Sequence, residues 1–209
     1  MSYSIIPLFA IPLYQSTIPP ISKDMFDKLV GREYEVYDGV KVTHEETAER
    51  FILNRPEFAD LKRVIDSKIA EYVHEALGVN NTFTWEITTS WVNKAKPGDW
   101  HANHWHSNSL ISGVLYLKTN PKTGVVCFHK GERYYNVFNE TFGIEFDKET
   151  DYSTPTIGVV PSTHTILMFP SHLAHSVCEN ESTETRYSLA FNVFPRGTVG
   201  QGGNSELTL

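Results

Sequence analysis

Cysteine is scarce in this chain, and so are the marks of a small, exported or membrane-bound protein. Two cysteines in 209 residues, Cys127 and Cys178, cannot staple a disulfide framework. Each lies in an apolar stretch where a small buried thiol is expected, and a reducing compartment is the default. Long apolar runs are missing. The one signal-like stretch, residues 5–14, has no basic residue ahead of it and is cut by Pro7 and Pro12, so the sequence predicts a cytosolic protein, neither exported nor membrane-spanning. Positive charge is short as well. With 18 basic against 25 acidic residues the formal charge is -7, which repels a phosphate backbone and gives an anionic membrane no polybasic handle. Neither nucleic acid nor a membrane is an expected partner. The sequons beginning at Asn80, Asn139 and Asn180 therefore read as chance matches. Internal repeats, coiled coils and low-complexity blocks are also missing.

What the chain has is enough apolar material for one core. At 40% apolar and 12% aromatic, 209 residues make one domain, too long for a stapled miniprotein and too short for two cores. Residues 4–20 read as an extended lead-in. Their prolines forbid a helix, while Ile5, Ile6, Leu8, Phe9 and Leu13 give an edge strand something to bury. Ser22 is placed to cap a short helix carrying Met25, Phe26 and Leu29 on one face, with Gly31 as its stop. Across residues 57–77, apolar side chains recur at Phe58, Leu61, Ile65, Ile69, Tyr72, Val73 and Leu77, the spacing of an amphipathic helix, and Gly78 follows. From residue 82 the pattern turns to strands, at 83–92, 110–117, 124–128, 157–160, 164–169 and 186–194. The expectation is a single mainly β chain with N-terminal helices. Residues 1–80 form the lead-in and helical buttress, 82–197 a sandwich or barrel, and 198–209 a mobile tail.

The histidines fall in two groups. His101, His104 and His106 crowd one short segment, and His172 and His175 another. On extended backbone, residues i and i+2 point the same way, so His104 and His106 present two imidazoles to one point, a metal-chelating spacing. Phe169-Pro170-Ser171 ends an apolar strand with a turn, and His175 then opens another extended run, a rigid mount for a third ligand. His172 and His175 face opposite sides if extended, so one is a ligand and the other lies on the surface or supports it. Solvated loop histidines are the ordinary alternative. In the last strand, alternation sends Arg186, Ser188, Ala190 and Asn192 to one face and Tyr187, Leu189, Phe191 and Val193 to the other. A buried arginine needs an anion, and its planar fork matches a carboxylate. On the strand alone, a surface salt bridge from Arg186 to Glu184 or Glu179 is equally compatible.

In order, the chain carries Trp91-Val92-Asn93, Pro97-Gly98-Asp99-Trp100, His104-Trp105-His106, Ser112-Gly113-Val114-Leu115-Tyr116-Leu117, Phe169-Pro170-Ser171-His172-Leu173-Ala174-His175-Ser176-Val177 and Arg186-Tyr187-Ser188-Leu189-Ala190-Phe191-Asn192-Val193. Together these resemble a family of 2-oxoglutarate- and Fe(II)-dependent oxygenases carried by many phage and marine bacterial genomes. The likeness runs over residues 89–197. The resemblance implies a double-stranded β-helix, or jelly roll, and an oxidoreductase that uses dioxygen and the cosubstrate 2-oxoglutarate to hydroxylate a small molecule or a peptide side chain. It makes His104, His106 and His175 the iron ligands and gives the distal carboxylate of 2-oxoglutarate to Arg186 and Ser188. Tyr116 and Asn192 are further candidates beside the cosubstrate. One departure stands out: most of the wider superfamily has Asp or Glu where His106 stands, so a third imidazole leaves the iron complex one unit more positive. Asp99, which precedes the histidines, is not expected to replace that carboxylate. Residues 130–155, with Tyr134, Tyr135, Phe138, Phe142 and Phe146 among charges, read either as a lid or substrate wall or as a surface hairpin.

Other readings stay open at this level. A three-histidine cupin-type dioxygenase would bind its substrate directly at iron, need no 2-oxoglutarate and leave Arg186 with nothing to hold. A non-catalytic jelly-roll module would close the histidines on Zn(II). A nucleobase demethylase is disfavoured by the net acidity. A homo-oligomer, paired through the lead-in strand or the aromatic surface, is compatible with the sequence.

Overall fold

The computed structural model describes residues 10–36, 44–80, 82, 84–131, 145–150, 152–200 and 206–209. The lead-in supplies β1 (Tyr14–Thr17), which among the described residues pairs on one side only, with β9 (Thr165–Pro170). Ser22 accepts a hydrogen bond from the Met25 amide and starts α1 (Lys23–Val30), which Gly31 ends. Two short strands, β2 (Tyr34–Val36) and β3 (Glu45–Thr47), follow. A 3-10 turn, Pro56–Phe58, leads into α2 (Ala59–Ala70), and Glu71–Ala76 continue it as a π-helical turn before Gly78 adopts φ +66°. The amphipathic face is buried as its spacing predicts, through Phe58, Leu61, Ile65, Ile69, Tyr72 and Val73. Leu77 is the exception at 39% exposed, because the chain has left the helical period by that point.

The first eleven strands build two antiparallel sheets. The larger has the order β1-β9-β6-β11-β4-β3-β2, with β4 (Thr84–Ala95), β6 (Ile111–Lys118) and β11 (Arg186–Arg196) at its centre. The smaller has the order β5-β10-β7-β8, from β5 (His101–His104), β7 (Val126–His129), β8 (Thr156–Val159) and β10 (His175–Val177). Two such sheets, one backed by helices, are the jelly roll expected of the sequence. Period-two alternation divides the large sheet's side chains. Leu115, Ile166, Met168, Leu189 and Phe191 join the helices in one core, while Tyr116, Leu167 and Phe169 meet Val126 and Phe128 between the sheets. Gly113 is required here, since a Cβ would collide with the buried Phe191 ring.

Several boundaries differ from the sequence reading. Strand β9 begins at Thr165 because His164 sits at φ +67°, which breaks the extended run. Cys127 is only half-buried and Cys178 is exposed, so neither is the buried thiol expected of its apolar neighbours. Asn180 is buried and donates to the carbonyls of Ala95 and Glu184, a structural use of a residue that began a sequon. After β11 the chain folds back, with β12 (Thr198–Val199) paired to β13 (Leu207–Thr208). Among the described residues no helix is long and apolar enough to cross a membrane. Ile5, Ile6, Leu8 and Phe9 of the lead-in, the sequon at Asn139, and Tyr134, Tyr135, Phe138 and Phe142 lie outside the described residues. Phe146 is described and is 42% exposed.

Candidate active site

The site lies between the two sheets and is assembled by β-pairing. In β5 and β10, His104 is the direct cross-strand partner of His175. His106 lies just past β5, where its amide donates to the Ser171 carbonyl in the turn after β9 (3.0 Å). Trp105, between the two histidines, is 65% exposed, as alternation requires if its neighbours turn inward. One potential ligand atom from each of His104, His106 and His175 can be chosen so that all three lie within 4.8 Å of one another. His172 stays exposed on the outer side of its segment.

The tautomers of these rings follow from their partners. Nδ1 of His104 lies 2.9 Å from the Ala102 carbonyl, and Nδ1 of His175 lies 2.9 Å from the Leu173 carbonyl. A carbonyl only accepts, so each Nδ1 carries the proton and each Nε2 keeps a free lone pair. His106 Nδ1 donates to Asn192 Oδ1 at 2.7 Å; that oxygen also accepts from Ser112 Oγ at 3.0 Å, and Asn192 Nδ2 donates to Thr89 Oγ1 at 3.1 Å. A bulge between Asn192 and Val193 interrupts the pairing with β4 beside this contact. Burial, and then repulsion from neighbouring imidazoles, pushes His104 and His175 down to about 3; burial also lowers His106. The rings are thus neutral at neutral pH with each Nε2 unprotonated. Carbonyl or amide acceptors behind each ring are the supports that metal-ligating histidines use.

Arg186 opens β11 on the same inner face and is 5% exposed. Its Nη1 donates to the Thr123 carbonyl (2.7 Å), and among the described residues no carboxylate pairs with it. Glu184, one of the partners considered for a surface bridge, instead lies 3.8 Å from Lys118. Gly124, at φ +104°, makes room for the guanidinium, since a Cβ there would stand 2.8 Å from Nη1. Ser188, also buried, is the cross-strand partner of Tyr116. Burial raises the Tyr116 phenol pKa strongly, against the lowering influence of nearby Arg186. Ser188, Tyr116, Arg186 and the three histidines line one cavity of about 660 Å³, its open mouth included. Asp99 is spent elsewhere, accepting from the Lys96 amide at 2.7 Å.

Three residues of this cavity escaped the sequence reading as a unit. His44 and Glu46, on either side of Glu45, turn inward from the start of β3, and His101 lies beside them, its ring centroid 4.6 Å from that of His44. The signal available was the His-x-Glu spacing at 44–46, which presents two ligand types on one strand face.

Residues 89–192 match a family model described as "Putative 2OG-Fe(II) oxygenase". That segment belongs to the 2OG-Fe(II) oxygenase family. The oxygenase segment holds every residue that the sequence marked for the site, from His104 to Asn192. Among solved structures, the fold is similar to an oxidoreductase of the 2OG-Fe(II) oxygenase family from Burkholderia pseudomallei, at 13% identity over 81% of this chain and 76% of that one, TM-score 0.56. It is similar also to a Pseudomonas putida prolyl-4-hydroxylase, at 15% identity over 87% and 92% of the two chains, TM-score 0.55. A third is HygX from Streptomyces hygroscopicus with nickel, 2-oxoglutarate and hygromycin B bound, at 13% identity over 88% and 82%, TM-score 0.55. No match emerged among curated proteins. The oxygenase is thus an oxidoreductase of jelly-roll fold whose family depends on Fe(II) and 2-oxoglutarate, and its neutral imidazoles and unpaired buried cation suit a divalent metal and a dicarboxylate.

Proposed function

We propose that this chain is a dioxygenase that hydroxylates a small molecule or a peptide side chain, with Fe(II) on His104, His106 and His175 and the distal carboxylate of 2-oxoglutarate on Arg186 and Ser188. One observation carries this reading: three neutral imidazoles and a buried guanidinium without a carboxylate partner share one cavity. Iron with dioxygen and 2-oxoglutarate supplies the oxidative decarboxylation and the attack on an unactivated carbon. The protein supplies the rest. Asn192, Ala102 and Leu173 hold the Nδ1 protons and so aim three lone pairs at one point. Arg186 fixes the far end of the diacid by a two-point contact, and the Ser188 hydroxyl beside it completes the cradle. Phe169 and Val126 line the same space and keep it dry around the reacting carbon. The substrate class rests on analogy, since the fold's relatives include a prolyl hydroxylase and a protein crystallised with hygromycin B.

The test is anaerobic titration of metal-free protein with Fe(II) and then 2-oxoglutarate. A charge-transfer absorption on adding the keto acid is expected. Dioxygen uptake indifferent to 2-oxoglutarate would replace this reading with a three-histidine cupin-type dioxygenase. Preference for Zn(II) with no keto-acid binding would replace it with a non-catalytic module.

A further inference from the structure

Beside the three-histidine cluster lies a second group with metal-ligand chemistry. His44, Glu46 and His101 also offer one donor atom each, all within 4.8 Å of one another. We propose that these three residues form a second binding site for a divalent first-row metal ion, on the wall of the same cavity and separate from the site of His104, His106 and His175.

Three observations support it. Two imidazoles and one carboxylate form a donor set that suits Mn(II), Fe(II), Co(II) or Zn(II). His44 and Glu46 are 3% and 7% exposed, so both are withdrawn from bulk water yet line the cavity. His44 Nε2 and Glu46 Oε1 stand 3.2 Å apart, a hydrogen bond that an incoming ion would replace. Two adjacent ligands with bonds near 2.1 Å at a right angle stand about 3.0 Å apart, so this pair has the spacing of one edge of a coordination shell.

The neighbouring groups leave room for the ion. Glu46 Oε2 is taken by the Arg50 guanidinium, which keeps the carboxylate ionised and leaves Oε1 as a single donor. His101 Nδ1 lies 2.9 Å from the Ala102 carbonyl, so its proton is there and its Nε2 is free. Glu46 is the one carboxylate among the described residues lining the cavity. The His101 ring lies 3.9 Å, centroid to centroid, from that of His104, so the two sites would be neighbours joined by this ring pair.

The experiment counts ions. Metal-free protein is dialysed against Co(II) without oxygen, and bound cobalt is measured by elemental analysis for the wild type and for His44→Ala, Glu46→Gln and His175→Ala, each checked for native circular dichroism. Two equivalents in the wild type, and one in each variant, support the proposal. In Glu46→Gln the remaining ion should still give the 2-oxoglutarate charge-transfer band with Fe(II), whereas His175→Ala should not. One equivalent in the wild type, unchanged by His44→Ala or Glu46→Gln and lost in His175→Ala, overturns the second site and leaves the three-histidine reading intact. Two equivalents that persist in both His44→Ala and Glu46→Gln also overturn it.

Discussion

His104 and His175 face each other as direct cross-strand partners, with ring centroids 4.2 Å apart. A ladder rung thus joins two proposed ligands that lie far apart along the chain, so the strand pairing that closes the small sheet also brings them together. His106 follows β5 of the same small sheet, and Arg186 is brought to it from the large one.

Removing a ligand and removing the guanidinium should have different consequences. His104→Ala and His175→Ala are expected to weaken Fe(II) binding by at least about 100-fold, beyond what loss of an outer hydrogen bond to a ligand costs. Arg186→Ala should keep its iron and weaken 2-oxoglutarate binding on the order of 100-fold or more, as for a truncated buried charge pair. Iron retained through gel filtration and the keto-acid titration check both. If all three variants kept both ligands, the assignment would fail.

Asn192 Oδ1 is taken by His106 Nδ1 and Ser112 Oγ, so in the proposed site it acts by positioning. Asn192→Leu should lose roughly 10- to 100-fold in Fe(II) affinity. Asn192→Asp, which keeps the acceptor behind Nδ1, should recover most of it. Equal affinity in the leucine variant would show that the His106 orientation is held by other contacts.

The depressed histidines make the metal-free protein acid-sensitive. Burial first, and then the neighbouring imidazoles, hold His104 and His175 at about 3, and burial holds His101 at about 4. In the unfolded chain they titrate near 6.5. Between those values the unfolded state binds more protons, so stability is full above about pH 6.5 and is lost as the pH falls towards 4 and 3. Calorimetry of metal-free protein should show a midpoint several degrees lower at pH 5 than at pH 7. A flat or rising midpoint would mean that the rings are charged in the folded state.

Cys127 lies on β7 and Cys178 just past the end of β10, with sulfurs 3.5 Å apart. A disulfide needs about 2.05 Å, a small closure for two neighbouring side chains, one of them exposed. A diazene oxidant such as diamide, itself reduced to the hydrazine, should remove two titratable thiols without forming a dimer. Cys178→Ser should resist that intramolecular loss. Retention of both thiols in the wild type would place the pair outside bonding reach.

Much of this was legible in the chain because it is local. The alternation that put Arg186, Ser188 and Asn192 on one face holds along β11, and the Ser22 cap and Gly31 stop bound α1 as written. The two-residue spacing of His104 and His106 likewise survives folding, with Trp105 turned out between them. What escaped is non-local. Glu46 reaches the cavity because β3 pairs with β4, placing it opposite Asn93, and nothing in the composition of residues 44–47 specifies that partner. The acceptors behind the histidines were hidden for a related reason. Two are backbone carbonyls, whose direction no side-chain pattern encodes, and the third is on a strand that meets His106 only after the sheets close.

Strand β11 is flanked on both sides, by β4 and β6, and carries Arg186, which lines the cavity, and Asn192, which holds the His106 ring. Neither anchor can slide without breaking a ladder on each flank. The gauge between the two anchors is therefore cut into the backbone itself. Under the proposed assignment, retuning the chain for a longer or shorter diacid would demand a shift in strand register, a far rarer event than swapping one side chain for another.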